Sequence, residues 1–196
     1  ALGSDNFARI SYVDKIDYSF NPAKENWDVK LARCHDDECN MVTIKKIAGP
    51  DIISYGTSIA LDPDNIPYVS HHDEGNADLE IVRCMDYNCN NPNLNTVDST
   101  NNVGRSNSMK LGSDNLPRIA YFDNTYGSLK FVRCLDANCT TKNINYVDTA
   151  GYVGHHQSLA LGSDGFARIS YSVNNESLGF ARCLDPDCIT KNINYP

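Results

Sequence analysis

A unit of about 50 residues occurs four times in succession along the chain. The phrase ALGSDNFARISY at 1–12 returns as ALDPDNIPYVSH at 60–71, as KLGSDNLPRIAY at 110–121 and as ALGSDGFARISY at 160–171. Each is followed by a second shared phrase, which reads LARCHDDEC in copy one. Because a fixed period of this length is typical of repeat architectures, the fold must build one structural unit four times.

The spacing between copies is regular except in copy one. The first cysteine of each copy follows the previous one at steps of 50, 50 and 49 residues: Cys34, Cys84, Cys134 and Cys183. The turn aspartates follow one another at steps of 59, 50 and 50 residues: Asp5, Asp64, Asp114 and Asp164. The nine extra residues therefore lie in segment 15–28, which also holds the one tryptophan, Trp27. We place the copies at about 1–50, 51–100, 101–150 and 151–196 of a single repeat domain.

Each copy is predicted to contain four short strands and no long helix. Runs rich in Ile, Val, Tyr, Phe and Thr are separated by turn residues every 8–12 positions, as in SMKLG, LPRIAYFD, SLKFVRC and TKNINYVD of copy three. Four strands per repeat of this length predict an all-β fold, a β-propeller of four blades. A sandwich or a β-solenoid is the structural alternative. The incomplete first strand of copy one leaves two expectations, an imperfectly closed ring or part of a larger array.

All eight cysteines occur in the motif Arg-Cys-x-Asp-x-x-Cys. A four-residue loop between two strands brings its flanking side chains within disulfide reach, so we predict four local disulfides. They are Cys34–Cys39, Cys84–Cys89, Cys134–Cys139 and Cys183–Cys188. Zinc binding is the alternative, but it would require two pairs to meet.

Four disulfides imply an oxidising compartment, so we expect a secreted or cell-surface protein. Any export signal would then have been removed or lie outside this sequence. Two glycosylation triplets, at Asn138 and Asn175, could carry N-glycans.

Antiparallel strands sort the loops of each copy into two rims. The first-to-second strand turns and the cysteine loops share one rim, which is acidic and nearly identical in all copies. We interpret this rim as structural, with calcium binding as the alternative; otherwise we expect no cofactor and no bound metal.

The opposite rim differs from copy to copy, and variable loops on a rigid frame are where binding usually occurs. Aromatic and polar side chains together suit contact with sugars or peptides. The candidate ligand-binding residues on this rim are Tyr18, Trp27, His71, His72, Tyr126, His155 and His156.

The histidines have other interpretations. They could be solvated loop residues, or His71, His72, His155 and His156 could form a metal site across the axis. A hydrolytic site would use Ser158 beside His155 and His156, but no ordering acid is apparent. We therefore expect no enzymatic activity.

The composition excludes two partner classes. A net charge of −8 argues against a nucleic-acid backbone as the partner, because that requires clustered Lys and Arg. No apolar run approaches the roughly 18–20 residues that a membrane-spanning helix needs, so we expect no membrane insertion.

The repeat LGSDNLPRIAYFD…GSLKFVRCLDANC resembles the tandem repeats of large, mostly uncharacterised secreted or surface β-propeller proteins. In those repeats a Pro-x-Ile-Ser-Tyr-like strand precedes a Cys-x4-Cys hairpin, and the resemblance covers all four copies. It implies an extracellular repeat propeller with no known reaction. The architecture is also similar to that of propeller lectins, which usually have a tryptophan in each repeat; here only copy one has one.

Two functions fit these features best. The first is a recognition or adhesion module that contacts a glycan or protein through the variable rim. The second is a structural subunit that pairs with copies of itself in an extracellular fibre or surface assembly, since open strand positions invite pairing. A metal-dependent or hydrolytic enzyme is a third, disfavoured alternative.

Overall fold

The computed structural model describes residues 1–15, 27–49 and 56–196, and every regular element in these ranges is a β-strand. The all-β prediction is therefore confirmed. In chain order the strands are β1 (Arg9–Lys15), β2 (Trp27–Cys34), β3 (Val42–Ala48), β4 (Thr57–Leu61), β5 (Pro67–Asp73), β6 (Asp78–Cys84), β7 (Pro92–Asp98), β8 (Val103–Leu111), β9 (Pro117–Asp123), β10 (Ser128–Cys134), β11 (Lys142–Asp148), β12 (Val153–Leu161), β13 (Ala167–Val173), β14 (Ser177–Cys183) and β15 (Lys191–Asn194).

The strands form four antiparallel sheets in which each strand pairs with its neighbours in sequence. Sheet 1 contains β1–β3, sheet 2 contains β4–β7, sheet 3 contains β8–β11 and sheet 4 contains β12–β15. The prediction of four strands is correct for copies two to four. In copy one the position of the first strand holds a single bridge, Leu2 to Ala8, and the turn that follows it has the same hydrogen bond as in the other copies, here from Asn6 N–H to the Gly3 carbonyl.

Three apolar cores lie between consecutive sheets. The core between sheets 2 and 3 contains Leu79 and Ile81 from one sheet with Met109, Ile119 and Tyr121 from the other. Equivalent cores join sheet 1 to sheet 2 and sheet 3 to sheet 4. The repeat is therefore stabilised mainly at the junctions between copies, as in other repeat proteins.

Burial differs between the middle and the last sheet. In sheet 3 the strand β9 is buried at every position, because both of its faces contact another sheet. In sheet 4 the strand β13 alternates between buried and partly exposed residues. Sheet 4 therefore has one covered and one open face.

The four predicted disulfides are present: Cys34–Cys39, Cys84–Cys89, Cys134–Cys139 and Cys183–Cys188. In each loop the aspartate after the first cysteine accepts backbone amide hydrogen bonds, as Asp136 does from Asn138 and Thr141. The second cysteine has a positive φ in all four loops, for example 56° at Cys139. Each disulfide thus closes a tight, hydrogen-bonded hairpin loop.

The loops of each sheet lie at two ends. The disulfide end carries the cysteine loops and the first-to-second strand turns, and its copies touch through bonds such as Ser4 N–H to Asn65 Oδ1 at 2.7 Å. The link end carries the second-to-third strand turns and the links between sheets, which meet in bonds such as Val153 N–H to Gly127 O at 2.8 Å.

Candidate ligand-binding site

The candidate site begins with an irregularity in the first strands of sheets 3 and 4. In β8 the pairing with β9 shifts between Arg105 and Ser108, and β12 shifts between His155 and Ser158. The extra residue has a positive φ, 49° at Ser106 and 51° at His156. Such a bulge redirects side chains away from the regular strand.

These two bulges line an open cavity of about 590 Å³ at the link end. Its lining residues are Arg105, Ser106, His155, His156 and Asn175. Asn175 lies in the turn between β13 and β14 and is exposed. All five side chains carry polar atoms, so the cavity can form hydrogen bonds to a ligand, and their carbon atoms add apolar surface.

A partly buried chain of polar contacts supports one wall of this cavity. The Arg105 guanidinium donates to both carboxylate oxygens of Glu74, at 2.8 and 2.9 Å. Glu74 Oε2 also lies 2.9 Å from Nε2 of His72, whose Nδ1 is 2.6 Å from the Val103 carbonyl oxygen. Because His72 is fully buried, it holds Glu74, and through it Arg105, in place.

Aromatic rings support the other wall. The His155 ring lies 3.9 Å from Phe122 and 5.0 Å from Tyr152 between ring centroids, and its Nε2 is 2.9 Å from the Tyr152 hydroxyl. Burial lowers the pKa of His155, and the nearby His156 and Arg105 lower it further. His155 is therefore neutral at pH 7 and can either donate or accept a hydrogen bond.

A second cavity of about 400 Å³ lies next to the first. Its lining includes Asn124, Tyr126 and Tyr152, and the Tyr126 side chain is 64% exposed. Tyr152 lines this cavity and contacts His155 of the first one. The two cavities therefore form one polar and aromatic surface at the link end of sheets 3 and 4.

The structure brings together three of the seven predicted ligand residues and places the others differently. Tyr126, His155 and His156 lie at the two cavities. Trp27 begins β2 and is partly buried, and it lines neither cavity. Tyr18 lies outside the described residues.

The interpretation of His71, His72, His155 and His156 as loop residues is wrong. His71 and His72 belong to β5 and are fully buried, so they do not present a surface to a ligand. His71 occupies the position of the strand tyrosines in the other copies and lies 3.1 Å from Glu80 Oε2. His155 and His156 belong to β12, where the bulge exposes His156.

Sequence reasoning missed Glu74 and Ser106. Ser106 and His156 align with Gly56 of copy two, and all three have a positive φ, 107° at Gly56. Gly56, aligned with Ser106 and His156, could therefore have indicated a positive φ, and with it a bulge, at this position. No comparable signal indicated Glu74, because its role depends on the packing of sheet 2 against sheet 3.

The two glycosylation candidates lie in different settings. Asn138 is partly buried in a disulfide loop, where its side-chain oxygen accepts from Arg83 at 3.4 Å and its carbonyl oxygen from Asn95 at 3.0 Å. Asn175 is exposed beside the first cavity. Of the two asparagines, only Asn175 is exposed to solvent.

The acidic turns at the disulfide end form ion pairs within the protein. Asp5, Asp114 and Asp164 each pair with the arginine four residues later, at 2.6 to 2.7 Å. The hydrogen bond from Arg9 is the main reason why the pKa of Asp5 falls to about 2. Within the described ranges, His, Cys, Asp and Glu side chains form no group of three or more suited to a metal ion.

No protein-family model matches this chain, and no curated protein has a significantly similar sequence. The described segments contain no helix that is long and apolar enough to cross a membrane.

Proposed function

We propose that this chain is a non-enzymatic β-propeller module that recognises a glycan at the link end of sheets 3 and 4. The propeller arrangement is supported by the repeated junctions, since each sheet packs its face on the next through an equivalent core. Sheets of four antiparallel strands that pack in this way are typical of propeller blades.

The observation that carries the binding proposal is the cavity between the bulges of β8 and β12. Its volume of about 590 Å³ lies within the range of small-molecule sites. Arg105, His156 and Asn175 offer donors to sugar oxygens, while the exposed rings of Tyr126 and Tyr152 offer apolar faces to the C–H groups of a pyranose. A rigid frame that carries different side chains in each copy is suited to recognition.

Secretion or display at the cell surface is part of this proposal. The four disulfides indicate an oxidising environment. Glycans are abundant ligands outside the cell, so the compartment and the proposed ligand agree.

The test is a glycan array followed by titration calorimetry with the best ligand. We expect His156→Gly and Asn175→Gly each to weaken binding by about fivefold to tenfold, since each removes one or two hydrogen bonds. Asn175 also has a positive φ, 59°, which glycine adopts without strain. Glycine at 156 keeps the positive φ and removes only the side chain. His35→Ala is the matched control, because His35 lies at the disulfide end, 2.7 Å from Thr43 Oγ1, and should leave binding unchanged. An array without signal, or variants that bind like the parent, would overturn the proposal.

A further inference from the structure

One contact is repeated at all three junctions between copies. The arginine before the first cysteine reaches the disulfide loop of the next copy: Arg33 to Asn88 at 2.5 Å, Arg83 to Asn138 at 3.4 Å and Arg133 to Asp187 at 3.1 Å. In each case the acceptor is the residue immediately before the second cysteine. Every junction thus contains the same polar contact, in which an arginine on one sheet donates to an oxygen acceptor on the next.

An apolar contact accompanies this arginine contact at each junction. Leu79 and Leu129, in the third strands of copies two and three, are fully buried in the cores toward the following copy. On the opposing face, Ile119 and Ile169 are fully buried in the cores toward the preceding copy. Val29 and Val69 take these positions between sheets 1 and 2, so all three junctions pair a third-strand leucine or valine with a second-strand isoleucine or valine.

Sheet 4 leaves the arginine face of this junction open. Leu178, which is equivalent to Leu129, is 53% exposed. The side chain of Arg182, which is equivalent to Arg133, is exposed and makes no hydrogen bond or ion pair with the described part of the chain. Next to it, Phe180 is only partly buried, whereas its equivalent Phe131 is fully buried.

Sheet 1 leaves the acceptor face open. Ile10, which is equivalent to Ile119, is 48% exposed. Cys39 is partly exposed although the second cysteines of the other copies are buried. The residue before it is Glu38, an exposed carboxylate at the position of the acceptors Asn88 and Asp187.

We propose that the open face of sheet 4 binds the open face of sheet 1 in a second copy of this chain, head to tail. Arg182 of one molecule pairs with Glu38 of the next, and Leu178 and Phe180 pack toward Ile10. A second copy is the expected occupant because the two faces carry oppositely charged side chains, Arg182 and Glu38, and match the faces that already join inside the chain. A head-to-tail contact of this kind is heterologous, so repeated use of it produces a linear or ring-shaped assembly. This inference is independent of the proposed glycan site.

Sedimentation velocity of the full chain between about 1 and 200 μM tests this contact. We expect concentration-dependent association that Arg182→Glu weakens by at least about tenfold, because it places like charges opposite each other. Glu38→Arg should weaken it similarly, and Leu178→Asp should weaken it through the apolar contact. Glu176→Lys is the matched control for Glu38→Arg, since it makes the same negative-to-positive change in an exposed turn.

The charge swap separates this contact from a folding defect. The double variant R182E/E38R restores the opposite charges, so it should associate like the parent chain. An equimolar mixture of R182E and E38R should also associate like the parent chain, although each variant alone associates more weakly. A chain that stays monomeric up to 200 μM, or a double variant no better than the single ones, would overturn the inference. Glycan binding by the same variants reports on the proposed function separately, because His156 and Asn175 are unchanged.

Discussion

The Tyr121 hydroxyl donates a 2.7 Å hydrogen bond to Oδ2 of Asp98 across the junction between sheets 2 and 3. The Lys130 ammonium donates to the same oxygen at 2.5 Å, and both partners are buried. The next junction repeats the tyrosine bond, from Tyr171 to Asp148 at 2.6 Å. A buried carboxylate at the end of the fourth strand of copies two and three thus fixes how the following sheet is placed.

Asp98→Ala should destabilise the protein by about 3–5 kcal/mol, because it leaves Lys130 as an uncompensated buried charge. It also leaves the Tyr121 hydroxyl without its acceptor. Urea unfolding followed by circular dichroism measures the effect.

Removing both charges provides the control for this variant. The double variant D98A/K130M should recover a large part of the loss, since an apolar pair of similar volume often replaces a buried ion pair at little cost. A double variant that is less stable than D98A would show that Lys130 contributes by packing and not by charge.

The same carboxylate should make the protein sensitive to acid. Burial acts to raise the pKa of Asp98, but the hydrogen bonds from Lys130 and Tyr121 outweigh it, so the pKa lies below its ordinary value. A carboxyl with a lower pKa when folded stabilises the protein fully above the unfolded value of about 3.9. That stabilisation is lost as the pH falls from there toward the folded pKa.

We therefore expect the free energy of unfolding to fall steeply below about pH 4, with Asp5 and Asp136, whose pKa values are about 2, adding to the slope. Urea midpoints at pH 7, 4 and 3 measure it. The D98A variant should show a shallower dependence over this range, and an unchanged slope would contradict the assignment.

The disulfide of copy one should be reduced first. Cys39 is partly exposed, whereas Cys89, Cys139 and Cys188 are buried under the preceding sheet, and a thiolate must reach a sulfur atom to attack it. Limited treatment of dilute protein with dithiothreitol, followed by alkylation and peptide mass spectrometry, gives the order. Equal rates for all four pairs would contradict the expected protection at the junctions.

Loss of that first disulfide should cost only about 2 kcal/mol, because it closes a short loop. C34S/C39S is the variant to compare with C134S/C139S, which alters a fully buried pair. We expect the copy-three variant to lose more stability, since its side chains also pack in the core between sheets 2 and 3.

The strands, the disulfides and the two loop ends were predictable because they depend on local patterns. The Cys-x4-Cys spacing, the turn residues and the 50-residue period each act within one copy. The junction chemistry was not predictable in this way. Asp98 and Lys130 meet only through the register between two sheets, a relationship that no single copy contains.

His71 shows the same limit of prediction from a single copy. Alignment of the copies places His71 with Tyr12, Tyr121 and Tyr171, so its position in a strand could have been predicted. Its neighbour Glu80 takes the place of Lys130, and Ala48 takes the place of Asp98. At the junction between sheets 1 and 2 the buried carboxylate is therefore on sheet 2, as Glu80, and not at the end of the preceding sheet. This exchange can be recognised only when the contacts of the junction are known.

Glycine at 154 should be essential for the junction between sheets 3 and 4. Gly154 has a φ of 104°, and a Cβ there would lie 2.8 Å from the Cα of Leu129; Gly104 meets Leu79 in the same way. We expect Gly154→Ala to cost roughly 2–4 kcal/mol, through backbone strain and the clash with a neighbouring strand.

The matched control for this variant is Gly165→Asn. Gly165 also has a positive φ, 77°, but no atom lies within 4 Å of an added Cβ. The other copies have asparagine at this turn position, with φ between 58° and 63°: Asn6, Asn65 and Asn115. We therefore expect G165N to change the free energy of unfolding by less than about 0.5–1 kcal/mol. Thermal and urea unfolding of both variants measure these differences in stability. If G154A were as stable as G165N, the close approach of β12 to β10 would not determine how the copies stack.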